Sequence, residues 1–120
     1  MRRAVRRRRG WPCRASERGS VTAELAVALP AVVLVAALGI AGLGAASRQV
    51  QLQDAAADAA RLIARGEEEG RAAGIVAAVG GALSIAHHGD LVCATAEAEA
   101  RIGALAVPLS ASSCALAGGW

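Results

Sequence analysis

One uncharged segment, residues 25–47, constrains the fold of this 120-residue chain more than any other feature. A helix rises about 1.5 Å per residue, so the segment would be about 34 Å long, enough to cross a bilayer core of about 30 Å. A single acid, Glu24, stands directly before it, and the next charge along the chain is Arg48. The sequence therefore predicts a transmembrane helix over residues 20–47 with an acid near its amino-terminal end.

Charge is distributed unevenly on the two sides of this segment. Eight arginines and two glutamates precede it, for a net charge of +6, whereas five arginines and eight acids follow it, for −3. By the positive-inside rule, the amino end stays in the cytoplasm and the carboxyl end is exported. Residues 1–19 are thus predicted to be a basic cytoplasmic leader that contacts lipid headgroups, and nucleic-acid binding is not expected.

The exported part is predicted to begin as a continuation of the same helix. Apolar residues recur at the helical period between Leu52 and Ile63, and Gly66 provides a stop signal. Residues 48–66 are therefore interpreted as an amphipathic helix extension. Residues 67–120 are predicted to hold a short second helix and a small three-stranded antiparallel sheet, so the fold class is an α+β membrane protein.

Alternation of apolar and polar residues predicts the strands of this sheet. If Gly89-Asp90 forms a two-residue hairpin loop, Ile85 pairs with Ala94 and one face of the sheet becomes apolar. A third strand is predicted over residues 107–116. The apolar face would cover the apolar stripe of the helix extension.

The cysteines divide between the two sides of the predicted membrane helix. Cys93 and Cys114 fall on the more polar face of neighbouring strands, on the exported side where disulfides form and persist. A disulfide between them is predicted, with two free thiols as the alternative. Cys13 lies in the leader and is expected to stay reduced.

No residue pattern indicates a catalytic, metal or cofactor site. His87 and His88 are adjacent on a predicted strand, so their rings would diverge and chelate a metal poorly. Glycine pairs in the chain fit no phosphate-binding pattern. We therefore expect no enzyme activity, no cofactor and no small-molecule substrate.

Small residues within the apolar helix favour packing against other helices. Gly39, Gly42 and Ala46 fall on one face at spacings of three and four residues, as in small-xxx-small pairs. Pro30 removes one backbone hydrogen bond within the helix. A hydroxyl at Ser20 or Thr22 is positioned to cap the helix start.

The residues around Glu24 resemble a family signal. Arg18-Gly19-Ser20-Val21-Thr22-Ala23-Glu24 is similar to the class III signal of type IV prepilins, in which a basic leader ends in Gly and Glu is the fifth mature residue. With Pro30 and the helix extension over residues 51–61, the chain more closely resembles the TadE-like minor pilins or pseudopilins of tight-adherence (Flp) pilus systems. Ser20 departs from the bulky residue that follows the cut in many pilins.

The resemblance implies a mode of assembly. A prepilin peptidase would cut between Gly19 and Ser20, and the new amine would pair with Glu24 of a neighbouring subunit in low dielectric. The implied partners are this peptidase, other pilin and pilus-assembly subunits, and membrane lipid. Two alternatives remain: a secreted protein with an ordinary signal peptide cut near Ala46, and an unprocessed signal-anchored protein.

Overall fold

The structure is a computed structural model that describes Gly10 and residues 15–118, with side chains from Gly19 onward. Most of the predicted basic leader, including Cys13, lies outside the described residues. By its internal contacts the chain divides into two units, residues 1–37 and residues 38–120.

The longest element is the helix α1, Ala15–Ala64, with Pro30 in its interior. All its described side chains in the first unit are exposed, including Val27 and Val33. Within the described part of the chain, α1 is the one helix long and apolar enough to cross a membrane. The expectation that Ser20 or Thr22 caps this helix is wrong, because helical conformation already begins at Ala15.

A short turn joins α1 to the second helix, α2, Glu69–Ala78. Gly66 in this turn has φ of +83°, a left-handed conformation that glycine adopts without steric penalty. Glu67 accepts a hydrogen bond from Arg71 Nη1 at 3.0 Å. Acidic Glu69 in the first turn of α2 suits the positive end of the helix dipole.

Three strands follow, β1 (Ala82–His88), β2 (Leu91–Ile102) and β3 (Leu105–Leu116), in an antiparallel sheet of order β1-β2-β3. Ile85 pairs with Ala94, so the register predicted from the Gly89-Asp90 turn is confirmed. The third strand is also confirmed, although it begins at Leu105 and not at residue 107. The predicted α+β arrangement of a long apolar helix, a short helix and a three-stranded sheet is therefore correct.

The core lies between the carboxyl-terminal part of α1, α2 and the apolar face of the sheet. Its largest fully buried side chains are Leu52 and Val76. The other buried residues of this cluster are all alanines: Ala55, Ala56, Ala59, Ala60, Ala72, Ala94, Ala96 and Ala111. Val92, on the same face of the sheet, is also buried. Because alanine removes little apolar area from water, this core stabilises the domain weakly for its number of buried residues.

Helix α1 also covers the free edge of β3. Gln49 Nε2 donates a hydrogen bond to the Ser110 carbonyl at 2.8 Å, and Gln53 Nε2 donates to the Ser112 carbonyl at 3.1 Å. Unpaired backbone groups at a sheet edge can pair with another chain. The two glutamines satisfy part of this edge, so β3 is blocked as a template over these residues.

Candidate functional site

The predicted processing and pairing residues lie in the amino-terminal part of α1. Gly19, Ser20 and Glu24 are helical and exposed. Ser20 and Glu24 are four residues apart, so they lie on one face of the helix about one turn from each other. Glu24 is the only charged residue between Gly19 and Arg48. The structure thus brings the predicted new amino terminus and the acid onto one surface, and the cut itself remains a prediction.

The predicted helix-packing residues have open space around them. A Cβ atom added at Gly39 or at Gly42 would meet no heavy atom within 4 Å, and Ala46 is exposed. Pro30, in the other unit, is also exposed. These residues are available to a neighbouring helix, and their packing role remains a prediction.

The disulfide between Cys93 and Cys114 is present, which confirms this pairing. The two residues are direct partners in the register of β2 and β3, with Cα atoms 4.0 Å apart. On the same face, Thr95 Oγ1 donates a hydrogen bond to Ser112 Oγ at 3.2 Å. The bridge therefore ties the central strand to the edge strand on the face opposite the core.

The described residues contain no group of three His, Cys, Asp or Glu side chains placed to hold a metal ion. His87 pairs with Val92 and His88 with Leu91. Since adjacent strand residues point to opposite faces, the two imidazoles lie on different sides of the sheet.

A groove in the second unit was missed by the sequence reasoning. Arg48, Glu99 and Arg101 line it together with the small residues Ala41, Gly44 and Ala45. Arg48 Nε is buried without a hydrogen-bond partner. The guanidinium reaches so close to Gly80 that a Cβ atom there would lie 2.6 Å from Arg48 Nη2.

The sequence distinguishes only one of the two arginines that line this groove. Arg48 ends the uncharged segment and could have been singled out as the residue at its outer boundary. Its proximity to Arg101 depends on how β2 lies against α1, and no local pattern gives that arrangement. The groove therefore emerges only from the tertiary fold.

Together the fold and the site define a class of protein. Among the described residues it has one helix, near the amino terminus, that is long and apolar enough to cross a membrane. A small helix-and-sheet domain follows in sequence, and a disulfide joins its strands β2 and β3.

A family comparison narrows this class. A family model described as TadE-like protein matches residues 19–61, from the predicted cleavage glycine to the last turn of α1. The TadE-like character of this segment, which the resemblance predicted, is thereby confirmed. The match and the one candidate membrane helix found among the described residues suggest a single-pass membrane protein associated with the Tad pilus. Comparison with curated proteins and with solved structures gives no match.

Proposed function

We propose that this chain is a minor pilin or pseudopilin of the Tad (Flp) type IV pilus system, cut after Gly19 by a prepilin peptidase and assembled through its amino-terminal helix. The observation that carries the proposal is the position of Glu24. It is the fifth residue counted from Ser20. It is also the only charged residue of the TadE-like segment before Arg48. An acid in apolar surroundings is unfavourable unless it is partnered, so such residues are functional candidates.

The proposed partner of Glu24 is the new amino terminus of a neighbouring subunit. Cleavage between Gly19 and Ser20 would expose an ammonium group about one helical turn from the carboxylate. Both groups lie on one face of α1, so helices packed side by side can exchange these contacts between subunits. In a medium of low dielectric constant an unpaired charge is strongly unfavourable, so the arrangement in which the carboxylate and the ammonium group are paired is favoured.

The proposed topology places the basic leader in the cytoplasm and the sheet domain outside. The charge asymmetry around the apolar segment supports this orientation. The disulfide between Cys93 and Cys114 supports it independently, because disulfides persist in oxidising compartments and are rare in the cytosol.

Assembly is proposed to use the small-residue face of α1. Gly39 and Gly42 leave space for the backbone of another helix to approach, and Ala46 continues this face. In lipid, close van der Waals packing of this kind is a main source of helix association. The proposed partners are therefore the prepilin peptidase, other pilin subunits and the assembly proteins of the pilus, and no catalytic role is proposed.

The alternative of an ordinary signal peptide cut near Ala46 finds less support. Helix α1 is continuous through this position, and Ala41 and Ala45 are half-buried in the second unit. A cut there would remove residues that line the Arg48 groove. Both the continuity of α1 and the role of these residues in the groove favour a mature chain that keeps the residues before Ala46.

The mass of the mature amino terminus, measured on protein purified from membranes, tests the cut. We expect the mature chain to begin at Ser20, with or without methylation of its amine. A chain that begins near Ser47 would instead identify a secretory signal peptide. An intact leader would identify an unprocessed anchor, and either result overturns the proposed processing.

Substitution of the acid tests its assembly role. We expect Glu24→Ala to insert in the membrane normally but to be strongly depleted from sheared pili, because the neighbouring ammonium loses its partner. Glu24→Gln keeps the shape and removes the charge, so it separates charge pairing from packing. Glu68→Ala serves as the matched control, since Glu68 precedes α2 and its side chain makes no capping hydrogen bond. Normal incorporation of both Glu24 variants would refute the pairing role.

A further inference from the structure

The turn between β2 and β3 lies beside the apolar part of α1. The hydrogen bonds from Gln49 to Ser110 and from Gln53 to Ser112 show that α1 and β3 run in the same direction. The spacings agree, because four helix residues rise about 6 Å and two strand residues about 6.6 Å. From Ser110 back to Leu105 the strand covers about 17 Å. The same distance along α1, counted back from Gln49, is about eleven residues and ends near Leu38.

The groove lining supports this placement independently. Arg101 directly precedes the last residue of β2 and lines the same groove as Ala41 and Gly44. The β2–β3 turn is therefore level with the carboxyl-terminal end of the uncharged segment. It lies on the amino-terminal side of Arg48 along the helix axis.

The residues of this turn are apolar and largely uncovered. We define the hairpin tip as residues 102–107, which contain no charged or hydroxyl side chain. Leu105 is 70% exposed and Val107 37%. On α1 at the same level, Leu38 and Leu43 are 60% and 73% exposed. In water such adjacent apolar surfaces are unfavourable, and together they mark a membrane or protein contact.

Positive charge borders this apolar surface. Neither Arg48 nor Arg101 forms an ion pair with any residue that the structure describes. Glu99 also lines the groove, so the three side chains together carry one net positive charge. Guanidinium groups bind phosphate oxygens through two parallel hydrogen bonds, and basic residues beside an apolar surface attract anionic lipid.

We propose that the hairpin tip enters the outer leaflet of the membrane that α1 crosses, and that Arg48 and Arg101 bind the phosphate of an anionic phospholipid in the groove. This inference rests on the single-pass topology proposed above. It moves the outer edge of the hydrocarbon core from Ser47 to about Ala41, which leaves residues 25–41 as the span. Of the small-residue face, Gly39 then lies within the span, and Gly42 and Ala46 lie at the level of the headgroups. That span is about 26 Å long, at the lower end of the range that crosses a bilayer.

Fluorescence quenching by brominated lipid tests the depth of the tip. The full chain, with Trp11→Phe and Trp120→Phe to remove background, receives one reporter, Leu105→Trp, and is reconstituted in vesicles of acyl-brominated phospholipid. We expect the emission of this reporter to be quenched about half as strongly as that of a reporter in the span, because an interfacial apolar group is buried about 5–10 Å.

Two further reporters separate this inference from the topology on which it depends. Val33→Trp lies in the predicted span, and Leu116→Trp lies at the opposite end of the sheet, where Leu116 is 58% exposed. Quenching at residue 33 with none at 105 or 116 overturns the inference and keeps the proposed membrane span. No quenching at residue 33 overturns the span and the inference together. Unquenched, blue-shifted emission at residue 105 places the tip against another protein, which also overturns the inference.

The same reporter tests the headgroup contact. We expect brominated phosphatidylglycerol to quench Leu105→Trp more than brominated phosphatidylcholine does, and the double substitution Arg48→Gln and Arg101→Gln to abolish this difference. The double substitution Arg61→Gln and Arg65→Gln, away from the groove, should preserve it. Equal quenching by both lipids in the chain with its native arginines, or an unchanged preference in the groove variant, refutes phosphate binding by the arginines.

Discussion

Removal of the disulfide should destabilise the sheet domain far more than removal of the hydrogen bond beside it. Cys93 and Cys114 are 21 residues apart in sequence. In the chain-entropy model a loop of this length restricts the unfolded chain by about 3.3 kcal/mol. Cys93 is half-buried and Cys114 exposed, on the face opposite the core, so serine at both positions leaves the alanine core intact. The loss should therefore come mainly from the unfolded state.

Urea unfolding of the full chain in detergent micelles, followed by a brief trypsin pulse, measures this effect. The chain contains no lysine, and cleavage after Arg101 within β2 reports opening of the sheet. For a small domain, whose free energy of unfolding falls by about 1–2 kcal/mol per molar urea, the midpoint should drop by about 1.7–3.3 M.

The neighbouring register position supplies the control for the disulfide. Thr95→Ala with Ser112→Ala removes one exposed side-chain hydrogen bond and should change stability by about 1 kcal/mol or less. Reduction of the wild-type disulfide should reproduce the effect of the double serine variant. A shift no larger than that of the Thr95 and Ser112 control would refute the account.

Two further pairs of substitutions, each a core change with its control, test the packing with the same assay. Leu52→Ala should lower the free energy of unfolding by about 2–5 kcal/mol, because Leu52 is 1% exposed, whereas Val50→Ala at a 61% exposed position should be nearly neutral. Gly81→Ala should cost about 1–3 kcal/mol, since the added Cβ would lie 3.0 Å from side-chain atoms of Leu52 and Val76. Gly74→Ala, with open space inside α2, should stabilise by about 0.5–1 kcal/mol. Equal effects within either pair would contradict the packing described.

The sheet could be predicted in detail because one local signal determines its register. Once Gly89-Asp90 is the turn, each residue of β1 has a fixed partner on β2, and a shift of one residue would expose the apolar face. Alternation along β3 predicts only that Cys114 lies on the same face as Cys93, and the register of β2 and β3 in the structure makes the two residues direct partners. The disulfide follows from this register and from the exported location.

Element ends and contacts between elements could not be predicted in the same way. The start of α1 at Ala15 lies in an arginine-rich stretch without apolar period, and the hydroxyls of Ser20 and Thr22, which suggested a later start, were misleading. The first residues of β3, from Leu105, are mostly apolar and do not alternate with polar residues, so the pattern did not predict where the strand begins. The Arg48 groove requires the packing of β2 beside α1, which depends on the close approach that an alanine core permits.

The three cysteines connect the proposed topology to the proposed processing. A chain cut after Gly19 loses Cys13 with its leader and keeps only the bridged pair, so it should react with no alkylating reagent under non-reducing conditions. An uncut chain in the same orientation exposes the single thiol of Cys13. A chain with its sheet domain in the cytoplasm would be kept reduced there and would expose both Cys93 and Cys114. Loss of the leader removes the thiol of Cys13, whereas export of the sheet domain determines whether Cys93 and Cys114 are bridged. The number of alkylated cysteines therefore shows whether the proposed cleavage or the proposed orientation is wrong.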